Sequence, residues 1–411
     1  MSLFGGVISI SGITFLMFAV FAIAAVGYAL GRITIKGVSL GTAGVFIVAL
    51  LFGAFFSSTI SSTVVQTVDG VAVDISTNAL KIVENMGLIL FVTAVGFIAG
   101  PNFFKNLKKN FKSYILLGVI IILAGALTCV ACFYIGKGSE KDSSEFIAML
   151  VGLMSGSLTS TPAFSAAKQT VASNYEAAVT VGHGIAYLFG VIGVVLFVQL
   201  IPKLTKANMD EERAKIAIVD TGSKKVIKGK LLDMDAFGFM AFSVAAIVGI
   251  FIGAIKIPMG KVPFSLTTTG GTLLTSLVLG HFGHIGPVNF TISKKTLEIF
   301  REFGLMLFLI GAGVAGGTKF VQYFKAVYFV YGVAMTIVPM IVGYLFAKYV
   351  LKLSLLNNLG SITGGMTSTP ALGTLINVAG TDDVASAYAA TYPVALIAVV
   401  AASQILLIVF S

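Results

Sequence analysis

Long apolar runs, almost free of charge, constrain this chain more than any other feature. They fall at about 10–31, 40–57, 80–100, 113–136 and 176–201 in the first half, and at about 236–256, 266–282, 296–316, 325–350 and 384–410 in the second. A helix crosses a bilayer with about 17–25 apolar residues, and each run meets that requirement. Only 11% of residues are charged and 57% are hydrophobic, whereas soluble domains carry roughly 25% charge. In hydrocarbon every backbone N–H and C=O must be paired inside the protein, which leaves helices and closed barrels as spanning structures. Runs of this length imply helices, so the expected fold class is an all-α polytopic membrane protein.

The formal net charge of +10 does not point to nucleic acid. The basic residues sit in connections between apolar runs, as in loops that face anionic lipid. The partners expected from composition are therefore a lipid bilayer and no nucleic acid. Cys129 and Cys132 share one face of an apolar run and read as small residues at lipid depth, with no metal or disulfide framework. Nothing reads G-x-x-x-x-G-K-[ST], so transport would draw on gradients or exchange, and no cofactor is expected. The opening MSLFGGVISISGITFL lacks the basic n-region of a signal peptide and reads as leading directly into the first span.

The chain is internally duplicated. MLVGLMSGSLTSTPAF at 149–164 matches NNLGSITGGMTSTPAL at 357–372, with TSTPA identical and a constant shift of 208 residues. GLILFVTAVGFIAG at 87–100 matches GLMLFLIGAGVAGG at 304–317, SLGTAG at 39–44 matches SLTTTG at 265–270, and AYLFGVIGV at 186–194 resembles TYPVALIAV at 391–399. Four blocks in the same order define a first membrane repeat at 1–201 and a second at 236–411. The polar stretch 202–235 between them, with eight basic and six acidic residues, reads as a solvated cytoplasmic linker with a short helix at MDEERAK.

Charge asymmetry orients the repeats. Loop 101–112 holds four lysines and no acid, and the linker is strongly basic, so both belong on the cytoplasmic side. An even number of crossings must separate them. That makes the TSTPA segments, 146–172 and 355–379, re-entrant hairpins, with about five crossings per repeat and both termini outside. This arrangement puts 18 basic residues inside and 6 outside. An odd number of crossings inverts the second repeat, a plan common among secondary transporters. A rival arrangement, in which each TSTPA segment is a broken helix that crosses fully, gives parallel repeats and places the linker opposite the lysine loop.

The TSTPA segments carry the chemistry. Thr161 reads as an N-cap and Pro162 as the first helical residue, preceded by a turn at Gly156 and Ser157; Thr369 and Pro370 repeat this after Gly364 and Gly365. A helix N-terminus offers unpaired amides and partial positive charge, which suits an anion. Two such tips meeting from opposite leaflets would surround one carboxylate, with hydroxyls from Ser155, Ser157, Thr159, Ser160, Thr363, Thr367 and Ser368. Lys168, past Pro162, would neutralise a substrate carboxylate or snorkel to the surface. His183 lies in an apolar span and could move a proton. Its counterpart by repeat is Tyr388. Arg301, beside Glu298 and Glu302, reads as part of an interfacial ion pair. Two other classes stay open: a channel or regulatory membrane protein, and an intramembrane serine hydrolase with Ser155 as nucleophile and His183 as its base.

At GLMSGSLTSTPAF and GSITGGMTSTPAL the sequence resembles the aspartate:alanine exchanger family, whose members carry a duplicated Gly-rich element ending in T-x-T-P-A-L. Tyr187 and Tyr392 also resemble the family's pattern, while Leu188 stands where Pro393 does in the second half. The resemblance implies an antiporter of the bacterial inner membrane for amino acids or dicarboxylates such as aspartate, alanine or succinate. It also implies an elevator-like motion, external termini and a homodimer. Many members carry regulatory domains between the halves, for which 202–235 is too short.

Overall fold

The computed structural model describes residues 2–3, 8–35, 38–39, 41–68, 71–109, 111–216, 231–257, 264–381 and 383–410. The chain is helical almost throughout: α1 (Gly12–Gly31), α2 (Ala43–Thr63), α3 (Ser76–Lys109), α4 (Leu116–Gly136), α5 (Ser143–Ser157), α6 (Thr161–Thr170), α7 (Glu176–Leu204), α8 (Met209–Ala214), α9 (Phe239–Gly253), α10 (Thr267–Phe282), α11 (Lys294–Gly317), α12 (Phe320–Tyr323), α13 (Ala326–Leu345), α14 (Leu355–Gly365), α15 (Thr369–Ala379) and α16 (Val384–Phe410). Short two-stranded ribbons, such as Val65–Val68 with Val71–Asp74, close several turns between helices.

Among the described residues eight helices are long and apolar enough to cross a membrane, which makes the chain an all-α multi-pass membrane protein. Their outer faces agree with a lipid surround. On α4, Leu117, Ile121, Cys129 and Cys132 are buried, while Leu123, Leu127 and Ile135 on other faces are exposed. The runs at 236–256 and 266–282 differ from expectation. They form α9 and α10, of 15 and 16 residues, which at ~1.5 Å per residue fall short of a ~30 Å hydrocarbon core. Between them Lys256–Ile257 pairs with Phe264–Ser265, and Thr267 opens α10 with φ +57°.

The helices gather into two compact units, each built from both halves of the chain: Met1–Phe91 with Glu302–Phe324, and Val92–Arg301 with Lys325–Ser411. In the first, α3 and α11 cross at Gly87 and Gly304. A Cβ on Gly87 would lie 2.6 Å from the Gly304 carbonyl oxygen, and one on Gly304 2.7 Å from that of Gly87, so only glycine permits the approach. Phe15, Val20, Val45, Ile60, Ile310 and Val314 form this unit's core.

The second unit holds both TSTPA segments. Its packing is reciprocal: α5 lies along α7 and α14 along α16, α6 packs on α16 and α15 on α7, α4 on α16 and α13 on α7, and α4 and α13 pack on each other. Glycines seat the parallel pairs α5–α7 and α14–α16. A Cβ on Gly152 would meet Val179 backbone at 2.3 Å, and one on Gly360 the Val384 oxygen at 2.6 Å.

Candidate functional site

Both TSTPA segments fold into two short helices around a tight tip. Neither α5, of 15 residues, nor α14, of 11, is long enough to cross a bilayer alone. Each ends in a residue forced into the left-handed region, Thr159 with φ +53° and Thr367 with φ +51°. Helices commonly stop this way, but on glycine. The backbone closes equivalently on both sides: Ser160 N–H donates to the Ser155 oxygen at 2.8 Å, and Ser368 N–H to the Thr363 oxygen at 2.9 Å.

The threonine side chains account for the absence of glycine. Thr159 Oγ1 donates to the Met366 carbonyl at 2.8 Å, and Thr367 Oγ1 donates to the Leu158 carbonyl at 2.9 Å. The two tips are stitched together by reciprocal hydrogen bonds between residues more than 200 positions apart.

The N-cap falls one residue earlier than the sequence pattern implies. Ser160, with extended backbone, caps α6 and accepts from Ala163 N at 3.4 Å; Thr161 is the first helical residue. Ser368 holds the same place before α15 but makes no side-chain cap bond. The turn geometry causes this shift: once Thr159 is left-handed, the next residue is the extended one that a cap requires.

Most of the hydroxyls grouped around the tips by sequence are committed to backbone. Ser157 Oγ donates to Gly332 O at 2.9 Å, Ser155 Oγ to Gly152 O at 2.7 Å, and Thr363 Oγ1 to Gly360 O at 2.7 Å. Gly156, Gly364 and Gly365 serve close packing, since a Cβ on Gly156 would meet the His183 oxygen at 2.4 Å, one on Gly364 the Tyr388 oxygen at 2.7 Å, and one on Gly365 the Ile121 side chain at 2.4 Å.

Ser155 and His183 do come together, with Oγ 2.9 Å from Nδ1. Both are fully buried. The imidazole lies between the Phe164 ring, at 4.2 Å and 7°, and the Tyr187 ring at 5.1 Å. The pair forms a polar brace packed among aromatic rings. In the second half Tyr388 and Tyr392 stack with the same 5.1 Å spacing. There the phenol turns to the tip, 3.2 Å from Thr369 Oγ1.

Lys168 is 6% exposed, with Nζ 5.9 Å from the Phe164 ring centroid. It sits at the end of α6, which docks on the start of α10 through residues that sequence reading missed. Ser165 Oγ lies 2.8 Å from Thr269 Oγ1, Gln169 Nε2 donates to Thr269 Oγ1 at 2.9 Å, and Thr268 N–H donates to Gln169 Oε1 at 2.9 Å. The threonine-rich SLTTTG block was the available signal. Thr161 and Pro162 are buried, whereas Thr369, Pro370, Gly373 and Asn377 of α15 are exposed.

Part of the linker is not a free solvated segment. Helix α8, the expected short helix at MDEERAK, clips both ends of the second hairpin: Glu212 Oε2 accepts from Leu355 N–H at 3.2 Å, and Arg213 Nη1 donates to the Ala379 carbonyl at 2.8 Å. These are the unpaired donor and acceptor that every helix leaves at its ends. Residues 217–230 of the linker lie outside the described residues. At the first hairpin, Asp142 caps α5 through Ser144 N and Glu145 N and accepts from the Tyr175 hydroxyl at 2.8 Å. That hydroxyl, then the two amides, hold its carboxyl below the usual range. No cluster of metal-ligating side chains occurs among the described residues.

Long apolar helices with exposed apolar outer faces define a multi-pass membrane protein. The chain belongs to the Asp-Al_Ex family, described as a predicted permease membrane region, which it matches over residues 19–203 and 241–408. It is similar to an uncharacterized transporter of Bacteroides thetaiotaomicron, 26% identical over 95% of this chain and 97% of the relative. Uncharacterized transporters of Bacteroides fragilis, 26% identical over 95% and 97%, and of Rhodopirellula baltica, 25% identical over 92% and 96%, are similar too. The first two alignments run over 550 residues against 411 here, so those relatives carry segments that this chain lacks. Family and relatives together place it as a transporter of the bacterial cell membrane.

Proposed function

We propose that the protein is a secondary carrier that exchanges small carboxylates or amino acids, with the substrate held where the α5–α6 and α14–α15 tips meet. The reciprocal bonds Thr159 to Met366 O and Thr367 to Leu158 O carry this reading, because they bring two helix N-termini to one place. Exchanged packing, α6 on α16 and α15 on α7, supports two inverted repeats with re-entrant hairpins. The basic loops 101–112 and 202–235 support a cytoplasmic linker and external termini. The stitched tips move as one body, as an elevator-like carrier requires, and a homodimer would supply the static scaffold.

Aspartate, alanine and succinate are the substrates to test in proteoliposomes. Thr161→Val and Thr369→Val should abolish counterflow without lowering folded yield. Normal counterflow by both variants would remove the tips from the transport path. Cysteines placed beside Pro162 and Pro370 should label from opposite faces of the membrane.

A further inference from the structure

The two tips share a sequence but not their surroundings, and the difference falls on charge. Ser160 Oγ accepts from Ala163 N at 3.4 Å. Its counterpart Ser368 Oγ is buried, 1% exposed, with no hydrogen-bond partner. A buried hydroxyl left unpaired costs free energy unless something else completes it. It stands at the N-terminus of α15, an 11-residue helix whose first amides point the same way. The adjoining Thr369 and Pro370 are exposed, so this tip is reachable, while Thr161 and Pro162 at the first tip are buried.

Beside it stand two stacked phenols, of which Tyr392 has a counterpart in Tyr187 and Tyr388 has none. Tyr388 OH lies 3.2 Å from Thr369 Oγ1 and its ring stacks on Tyr392. By repeat, His183 takes the place of Tyr388, and it bonds Ser155 instead. The half-buried Arg301 on α11 lies within electrostatic reach of both tyrosines. Extending the match of 304–317 to 87–100 upstream pairs Arg301 with Glu84, so this cation belongs to one half only. A planar guanidinium offers a carboxylate two parallel hydrogen bonds, which an ammonium cannot.

We propose that the carboxylate of the transported solute binds at the start of α15, with Arg301 as its counter-charge and the Ser368 and Tyr388 hydroxyls as donors. This deepens the tip-site reading and rests on it. The site then favours an asymmetric solute with one carboxylate fixed at the second tip, as in an α-amino acid, over a solute with no anionic end.

The test is competition against labelled L-aspartate counterflow in proteoliposomes, using L-alanine and the uncharged-end probe L-alaninamide. Wild-type protein should prefer L-alanine strongly. Arg301→Gln should weaken half-saturation by L-aspartate about 10- to 100-fold, as expected for a lost charge-assisted bond, and bring the L-alanine to L-alaninamide ratio towards one. Arg301→Lys should fall between, and Ser368→Ala and Tyr388→Phe should each weaken binding several-fold. General damage to the fold would lower both probes together and leave their ratio unchanged, and that result overturns the assignment. If Arg301→Gln and Tyr388→Phe keep the wild-type ratio while Thr369→Val abolishes counterflow, the tip site stands and Arg301 is not its counter-charge. If Thr161→Val and Thr369→Val also transport normally, the tip-site reading falls and this one with it. Should Arg301→Gln fail to fold, Arg301→Lys with Tyr388→Phe decides the same question through the ratio.

Discussion

Placing threonine rather than glycine at the two left-handed tip positions has a testable energetic consequence. A side chain in this region costs roughly 1–2 kcal/mol per residue, and β-branched residues tolerate it worst. At Thr159 and Thr367 the offset is one buried interhelical hydrogen bond each, at 2.8 and 2.9 Å. Such bonds between membrane helices contribute about 0.6 kcal/mol on average and at most about 1.7. A carbonyl left without its donor costs about 1–3 kcal/mol. Thr159→Val keeps the β-branch and loses the bond, so it should destabilise by about 1–2 kcal/mol. Thr159→Gly loses the bond but relieves the backbone, so it should lie between Val and wild type. The double variant Thr159→Val with Thr367→Val should cost other than the sum of the singles, since both bonds close the same interface. Unfolding can be followed in detergent with a thiol-reactive dye: the chain has no Trp, and Cys129 and Cys132 are 0% and 4% exposed. A Val variant as stable as wild type, or a Gly variant less stable than Val, would refute this account of the tips.

The remaining predictions concern the bases of the two hairpins. Asp142→Ala should remove about 1 kcal/mol of α5 capping, read as a lower unfolding temperature. Because the folded Asp142 carboxyl titrates below its ordinary value, its contribution is complete above about pH 4 and is lost as pH falls through the folded value. Wild type should therefore lose stability in acid more steeply than Asp142→Asn. At the other hairpin, Glu212→Gln with Arg213→Ala should raise hydrogen exchange at the first amides of α14. The stability loss should stay within about 1 kcal/mol, since Arg213 is 37% exposed and solvent screens it. Unchanged exchange at Leu355 would mean that α8 does not hold the hairpin.

What the sequence makes legible here depends on whether a feature is local. Apolar length marks the spanning helices because lipid forces each backbone segment to satisfy itself. It misjudges α9 and α10 because hydropathy does not register where Gly253 and Thr267 turn the chain. The duplicated TSTPA block locates both tips, and Pro at the second helical position shows which way each helix runs. It does not show that Thr159 and Thr367 spend their hydroxyls on each other's hairpin, since that requires knowing that positions 208 residues apart lie within hydrogen-bond reach. The grip of α8 is invisible for the same reason: Glu212 and Arg213 find partners 143 and 166 residues away. The identical motif hides the feature most relevant to a ligand. Equal tips would serve a symmetric anion equally well from either side. The departures from symmetry, His183 against Tyr388, Glu84 against Arg301 and a satisfied Ser160 against an unsatisfied Ser368, all lie in or beside the repeated block. The stitched threonines therefore define where the tips meet, and the unmatched neighbours are where the two halves differ in charge and hydrogen bonding.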